Sequence, residues 1–264
     1  MTAIAVTIAG SDSSGGAGIE ADLKTFSALG VYGAAVITAV TAQNTNGVFG
    51  VHELPTEFIA AQINAVFTDL EIGAVKIGML PNGAAIAVVA EALDRYRPRN
   101  VVLDPVMVAS SGARLQRADA LDRLRDLLTR VRLVTPNLSE AAALLDVAPA
   151  RDEGEMRAQA EKLLAQGAPA VLIKGGHGGG RDSVDLLVEP GHCLRLAAPR
   201  VVTKNTHGTG CTFASAIAAG LAKGLPLDAA AQEAKIYVSA AIAAADRLGV
   251  GSGRGPLHHF HAWW

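Results

Sequence analysis

The sequence predicts a three-layer α/β/α fold, with helices on both faces of a mostly parallel sheet, on three observations. Apolar β-type runs alternate with segments of helical periodicity along all 264 residues. Short Gly, Pro and Asn punctuation separates them, as parallel crossovers require. One pair of strand-like runs, 184–189 and 193–197, looks like a hairpin, which makes an antiparallel edge.

In order, AIAVTIAG (3–10) is a continuous apolar strand, and a Ser/Gly loop leads from it into IEADLKTFSALG, a helix that stops at Gly30. AAVITAV (34–40) is the next strand. Thr56 then caps a helix whose face is Phe58, Ile59, Ile63, Val66, Phe67 and Leu70, at spacings of three and four. GAVKIGM (73–79) and NVVLDPV (100–106) are strands around a helix at 84–96. RLVTPN (132–137) ends a strand where a helix begins, and AVLIK (170–174) is a further strand before a run of glycines. Two alanine-rich helices, 209–223 and 227–248, close the chain. No internal repeat or linker divides residues 1–264, so one domain is expected.

Composition narrows the function. Half the residues are hydrophobic and 18% charged, which suits a large core. A net charge of −2 without a Lys/Arg stripe argues against nucleic acid, and no apolar run is long enough for a membrane span. Cys193 and Cys211 are too few for a disulfide framework and lack zinc spacing, which fits a reducing cytoplasm.

Sheets of this kind bind ligands beyond the carboxyl ends of their strands, where most of the polar motifs fall. GSDSSGGAG (10–18) joins a strand to a helix and brings backbone N–H groups close to a ligand, or is simply a structural turn. Asp22, on the helix that follows, falls among positions expected to be buried. A carboxylate there needs a partner, and a substrate amine or ring nitrogen would serve. Gln43, in the turn TAQNTNG (41–47), offers donors and an acceptor to the edge of a heteroaromatic ring. Asp104 in LDPVM and Glu140 in NLSE are hard oxygen donors of the kind Mg²⁺ prefers, although Glu140 also suits a plain helix start. Lys174, before GGHGGG, is placed to hold a phosphate under a glycine flap.

NTHGTGCTF (205–213) carries the strongest signal. Gly208, Thr209 and Gly210 precede a helix and point several N–H donors at one place, an anion hole. Cys211 sits inside it, open to four readings: nucleophile, metal ligand, proton acceptor, or a small residue that fits. The field of the helix end should pull its thiol down from about 8.5 toward neutral. HHFHAWW (258–264) reads as a docked tail whose tryptophans cover apolar surface.

Taken together and in order, AGSDSSGGAGIEADLKT, VTAQNTNGV, KIGML, VVLDPVM, TPNLSEAAAL, IKGGH and NTHGTGCTFASAIAA resemble the hydroxymethylpyrimidine/phosphomethylpyrimidine kinases of thiamine biosynthesis, in the ribokinase-like superfamily. The resemblance covers essentially the whole chain. It implies ATP- and Mg²⁺-dependent phosphorylation of 4-amino-5-hydroxymethyl-2-methylpyrimidine, to the monophosphate and then the diphosphate. It also implies Gly10, Asp22, Gln43, Met79 and Val106 at the pyrimidine, and Lys174, Thr206 and Lys235 near the nucleotide. Asn137 and Glu140, helped by Asp104, would organise Mg²⁺, and Cys211 stands where ribokinase relatives place a catalytic aspartate. Related kinases suggest a homodimer. Pyridoxal kinase activity and a non-catalytic pyrimidine-binding role are the rivals. A kinase half of a fused thiamine phosphate synthase does not suit a sequence of this length. Ser13 and Glu20 depart from the expected proline and glutamine, which puts the rigidity of the 10–18 loop in question.

Overall fold

A computed structural model describes residues 1–107, 120–176 and 180–264. Its strands are β1 (Ile4–Ala9), β2 (Tyr32–Ile37), β3 (Ala39–Asn44), β4 (Gly47–Glu53), β5 (Ala74–Ile77), β6 (Val101–Leu103), β7 (Leu133–Val134), β8 (Val171–Lys174), β9 (Asp182–Glu189) and β10 (His192–Pro199). The helices are α1 (Gly18–Ala28), α2 (Thr56–Asp69), α3 (Gly83–Tyr96), α4 (Ala120–Leu127), α5 (Leu138–Leu145), α6 (Glu153–Ala165), α7 (Thr209–Ala222) and α8 (Leu227–Ala243). An eight-stranded sheet runs in the order β10-β9-β8-β7-β6-β5-β1-β2. It is parallel from β2 to β8 and ends in the antiparallel β9–β10 hairpin, as the sequence predicts.

Side-chain alternation divides the core in two. Val6, Ile8, Val75, Ile77, Val101, Leu103, Val171 and Ile173 face the core shared with α2 to α6. Ala5, Ala74, Val102 and Leu172 face the core shared with α1, α7 and α8. A period of two therefore puts Thr7, Lys76, Asp104 and Lys174 on the α7 side, at or just beyond the carboxyl ends of their strands. This one geometric rule assembles the polar floor of the site. The alanines of α7 serve close packing: a Cβ on Gly220 would lie 2.9 Å from the Ala230 Cβ of α8.

Several elements differ from the sequence reading. The single strand expected at 34–40 breaks at Thr38, whose hydroxyl donates to the Met79 carbonyl. β2 stays in the main sheet, while β3 peels away to pair with β4 in a separate two-stranded sheet. Gln43 thus lies on a strand, and only Thr45 and Asn46 form the turn. Thr56 does not cap α2. Pro55 occupies the cap position, and Phe58 points outward at 57% exposure while Ile59 and Ile63 are buried. The last long helix ends at Ala243 and passes into a short 3₁₀ turn, Ala245–Arg247. The tail docks through His258 and His259, both buried, with His259 Nε2 3.0 Å from the Thr212 hydroxyl. Trp263 and Trp264 remain 70% and 72% exposed. The proposed glycine flap lies partly outside the described residues, at 177–179.

Candidate active site

A cavity of about 650 Å³ opens where the carboxyl ends of β1, β5, β6 and β8 meet the N-terminus of α7. Every site residue expected from the sequence lines it except Asp22.

The loop after β1 is organised by Asp12, which the sequence reading missed. Its carboxylate accepts hydrogen bonds from the Ser14 N–H and hydroxyl and from the Gly16 and Ala17 N–H groups, and lies 2.7 Å from His207 Nε2. Burial pushes this carboxyl up, but His207 and Ser14 outweigh it and hold it down at about 2. The two departures from the expected motif both tie the loop down. The Ser13 hydroxyl donates to the Gln43 carbonyl and accepts from the Gln43 N–H, while Glu20 accepts from the Ser11 hydroxyl and the Asp12 N–H. Because the folded Asp12 titrates below its ordinary value of 3.8, its contribution is complete above that value and lost as pH falls toward 2. Asp12→Asn is therefore expected to lower unfolding free energy at pH 7 by about 2 kcal/mol, with the gap to the native protein closing under acid in denaturant titrations.

Gly10, Gln43, Met79 and Val106 gather at one end of the cavity. Gly10 has no room for a side chain, since a Cβ there would meet the Met79 methyl at 2.5 Å. The Gln43 side chain lies between the Thr41 hydroxyl, 3.3 Å from its Oε1, and His207 Nε2, 3.2 Å from its Nε2.

Asp22 is corrected. It is fully buried, and its carboxylate accepts from Thr7 (2.6 Å), Lys76 (2.8 Å) and Ser215 (2.6 Å). These partners come from β1, β5 and α7, so the carboxylate braces the sheet against the helix and does not reach the cavity.

In the middle lie Asp104, Glu140 and Lys174. Lys174 Nζ donates to Asp104 Oδ1 at 2.6 Å and stands 3.9 Å from Glu140. Burial works against its charge, but the two carboxylates keep its pKa raised. Burial pushes Glu140 up to about 7; Asp104 adds to the push and Lys174 opposes it. Asp104 Oδ2 is buried and has no hydrogen-bond partner among the described residues. An orphaned carboxylate oxygen beside a second carboxylate fits a hydrated divalent cation that keeps most of its waters. Asn137 plays a supporting part: its side chain accepts from the Glu140 N–H while Glu140 accepts from the Asn137 N–H, a capping box that aims Glu140. The helix-start reading of Glu140 therefore holds, and the same cap aims its carboxylate toward Asp104 and Lys174.

Lys235 is also less free than its position implies. Its ammonium meets Asp185 at 2.6 Å and Ser183 at 2.9 and 3.3 Å, and Asp185 in turn accepts from the Gly175 N–H. It therefore fixes the start of the glycine run.

At the head of α7, Gly208 adopts a left-handed φ of +82°, and a Cβ there would strike the Gly16 carbonyl oxygen at 1.9 Å. The Thr209 N–H and hydroxyl both donate to the Thr206 carbonyl, and the Thr212 N–H donates to that of Gly208. This leaves the Gly208, Gly210 and Cys211 N–H groups without an acceptor among the described residues, all three at the cavity wall, with the last two in the first turn of the helix and reinforced by its dipole. Cys211 contradicts the expectation for its thiol. Burial pushes it up to about 11; Lys76 pulls it down, Asp22 and Asp104 push it further up, and the nearby Gly18 N–H pulls it down slightly. The thiolate is thus a minor species at neutral pH, costing about 5 kcal/mol to form there. Cys211 belongs to no cluster of three or more His, Cys, Asp or Glu side chains that could hold a metal among the described residues.

The fold, with donors at a helix head facing a Lys/Asp/Glu cluster, defines a small-molecule kinase of the ribokinase-like class. The crystal structure of an ADP complex of Bacillus subtilis pyridoxal kinase matches with a TM-score of 0.92 at 35% identity, covering 99% of each chain. More specifically, the chain belongs to the phosphomethylpyrimidine kinase family, whose model matches residues 12–258. A hydroxymethylpyrimidine/phosphomethylpyrimidine kinase of Rhizobium meliloti is 58% identical, covering 100% of this chain and 99% of that protein. The one from Escherichia coli is 54% identical, covering 98% of both.

Proposed function

We infer that the chain is a single-domain kinase that uses ATP and Mg²⁺ to phosphorylate 4-amino-5-hydroxymethyl-2-methylpyrimidine, first to the monophosphate and then to the diphosphate. The observation that carries this reading is the 58% identity over the full chain, joined to an intact anion hole opposite Lys174 and Asp104. Gln43 reads the ring edge, and Gly10, Met79 and Val106 close on its faces. The Gly210 and Cys211 N–H groups receive the charge of the transferring phosphoryl group, and Lys174 neutralises it from the other side. Bound at Asp104 and Glu140, a Mg²⁺ ion would screen phosphate charge and cancel the carboxylate that pushes the Cys211 thiol up.

In the first transfer the alcohol O–H proton passes to a Cys211 thiolate as the O–Pγ bond forms. The bond from Pγ to the bridging oxygen breaks, and its electron pair leaves on ADP. In the second transfer the acceptor is an ionised phosphate and releases no proton. A phosphocysteine intermediate is unnecessary when a direct in-line path exists.

A second reading, pyridoxal phosphorylation, is favoured by the likeness to pyridoxal kinase. Initial rates with each alcohol under ATP·Mg²⁺ separate the two. The pyrimidine should show kcat/KM at least about tenfold higher, and the reverse order would transfer the assignment to pyridoxal. The exposed Trp263 and Trp264 support a homodimer, which light scattering after size exclusion checks. Among the described residues no helix is long and apolar enough to cross a membrane.

A further inference from the structure

Lys76 is wholly buried, yet its ammonium has one hydrogen-bond acceptor among the described residues, Asp22 Oδ2 at 2.8 Å. Lys235, by contrast, has acceptors for all its protons. A buried ammonium with unspent donors is costly, and such groups persist where a further negative charge appears in use. The location is specific. Strand alternation turns Lys76 toward α7, which packs across β1, β5 and β6. Its Nζ lies 2.6 Å from where a Gly78 Cβ would stand, immediately before the cavity residue Met79. Asp22, its partner, is bonded through Oδ1 to Ser215, one helical turn beyond Cys211 on α7. Lys76 does not line the cavity.

We propose that Lys76 is a positioning residue, the fixed counter-charge beneath the anion hole on which the Cys211 sulfur becomes a thiolate, with Asp22 holding the ammonium in place. This rests on the reading of Cys211 as proton acceptor. Lys76 stays protonated throughout, since burial opposes its charge but Asp22, with Cys211 and Asp104 adding, holds its pKa raised. The charges acting on Cys211 are Lys76 in favour of the thiolate and Asp22 and Asp104 against it. Lys174 and the Gly18 N–H also favour the thiolate of Cys211. Asp22 thus has two opposed effects: it anchors the cation, and it disfavours the anion.

Because Cys193 is exposed, the test uses Cys193→Ser throughout and follows iodoacetamide alkylation of Cys211 at pH 8.5. Lys76→Met should slow alkylation about tenfold or more. The same variant should slow the first phosphoryl transfer in parallel, leave the second within about threefold, and move the pH profile of the first toward alkali. Asp22→Asn should speed alkylation, in the opposite direction. Lys76→Met/Asp22→Asn, which removes both charges together, should fall between the single variants. A merely structural role would shift all three variants the same way or not at all, and either result overturns the proposal. If Lys76→Met fails to fold, faster alkylation in Asp22→Asn supports the proposal and an unchanged or slower rate overturns it. The outcomes also separate this inference from the one beneath it. Alkylation that follows the charges while Cys211→Ala spares the first transfer removes the acceptor reading and leaves Lys76 as the residue that sets the thiol. Loss of the first transfer in Cys211→Ala with alkylation indifferent to Lys76 removes the inference alone.

Discussion

Replacing Gly208 by alanine is expected to abolish both phosphoryl transfers, with losses of about 10²–10³-fold or more in each. Two independent costs meet at this position. The backbone sits at φ +82°, where an L side chain is strained by about 1–2 kcal/mol. The added Cβ would also lie 1.9 Å from the Gly16 carbonyl oxygen, a backbone atom with nowhere to retreat inside a loop pinned by Asp12. Relief requires the head of α7 to move, which carries the Gly210 and Cys211 N–H groups off the point where charge develops in either reaction. Gly224 is the matched control. It has φ +87° with no atom within 4 Å of its Cβ, so Gly224→Ala carries the strain without the collision. That variant should lose about 1 kcal/mol of stability and keep its activity. Steady-state rates with alcohol and with monophosphate as acceptors, beside denaturant unfolding, make the comparison.

Cys211→Ala should divide the two reactions instead. Its N–H remains in the anion hole, so only the sulfur is lost, and only the first transfer has a proton to give up. The alcohol reaction should fall by about 10²–10⁴-fold while the monophosphate reaction stays within a few-fold. The direction of the thiol shift adds a signature. With a pKa pushed up to about 11, the thiolate fraction in the native protein grows about tenfold per pH unit through the neutral range. The first transfer should therefore rise with pH, the second should not, and the rise should vanish in the alanine variant. Equal losses in both reactions would remove the proton-acceptor assignment.

The sequence makes the frame legible because its signals are local. Alternating strands and helices, the 184–197 hairpin, and the glycine turn before α7 each appear in a few adjacent residues and reappear in the structure. Most of the proposed site is legible for the same reason, since each motif sits at a strand end and the parallel sheet brings strand ends together. What escapes is set by elements distant in the chain. Asp22 is rightly expected to be buried, but its partners Thr7, Lys76 and Ser215 lie on three other elements, so it is drawn into the framework and away from the substrate. The thiol of Cys211 moves the opposite way from its expectation because the helix end is visible in NTHGTGCTF, whereas burial and the carboxylates of Asp22 and Asp104 are not. Asp12 was obtainable: an aspartate two residues before a serine-glycine run is a side-chain-to-backbone turn signal, and it organises the loop in that way. The break at Thr38 carried no such signal, because the bond to the Met79 carbonyl that holds it spans 41 residues.

One cavity should perform two successive transfers on the same pyrimidine. Purified protein given ATP·Mg²⁺ and isotopically labelled 4-amino-5-hydroxymethyl-2-methylpyrimidine, with products resolved by ion-exchange chromatography over time, tests it directly. A monophosphate peak should rise first and then be consumed into a diphosphate carrying the same label. A monophosphate that accumulates to completion with no diphosphate, or no labelled phosphate ester at all, would contradict it.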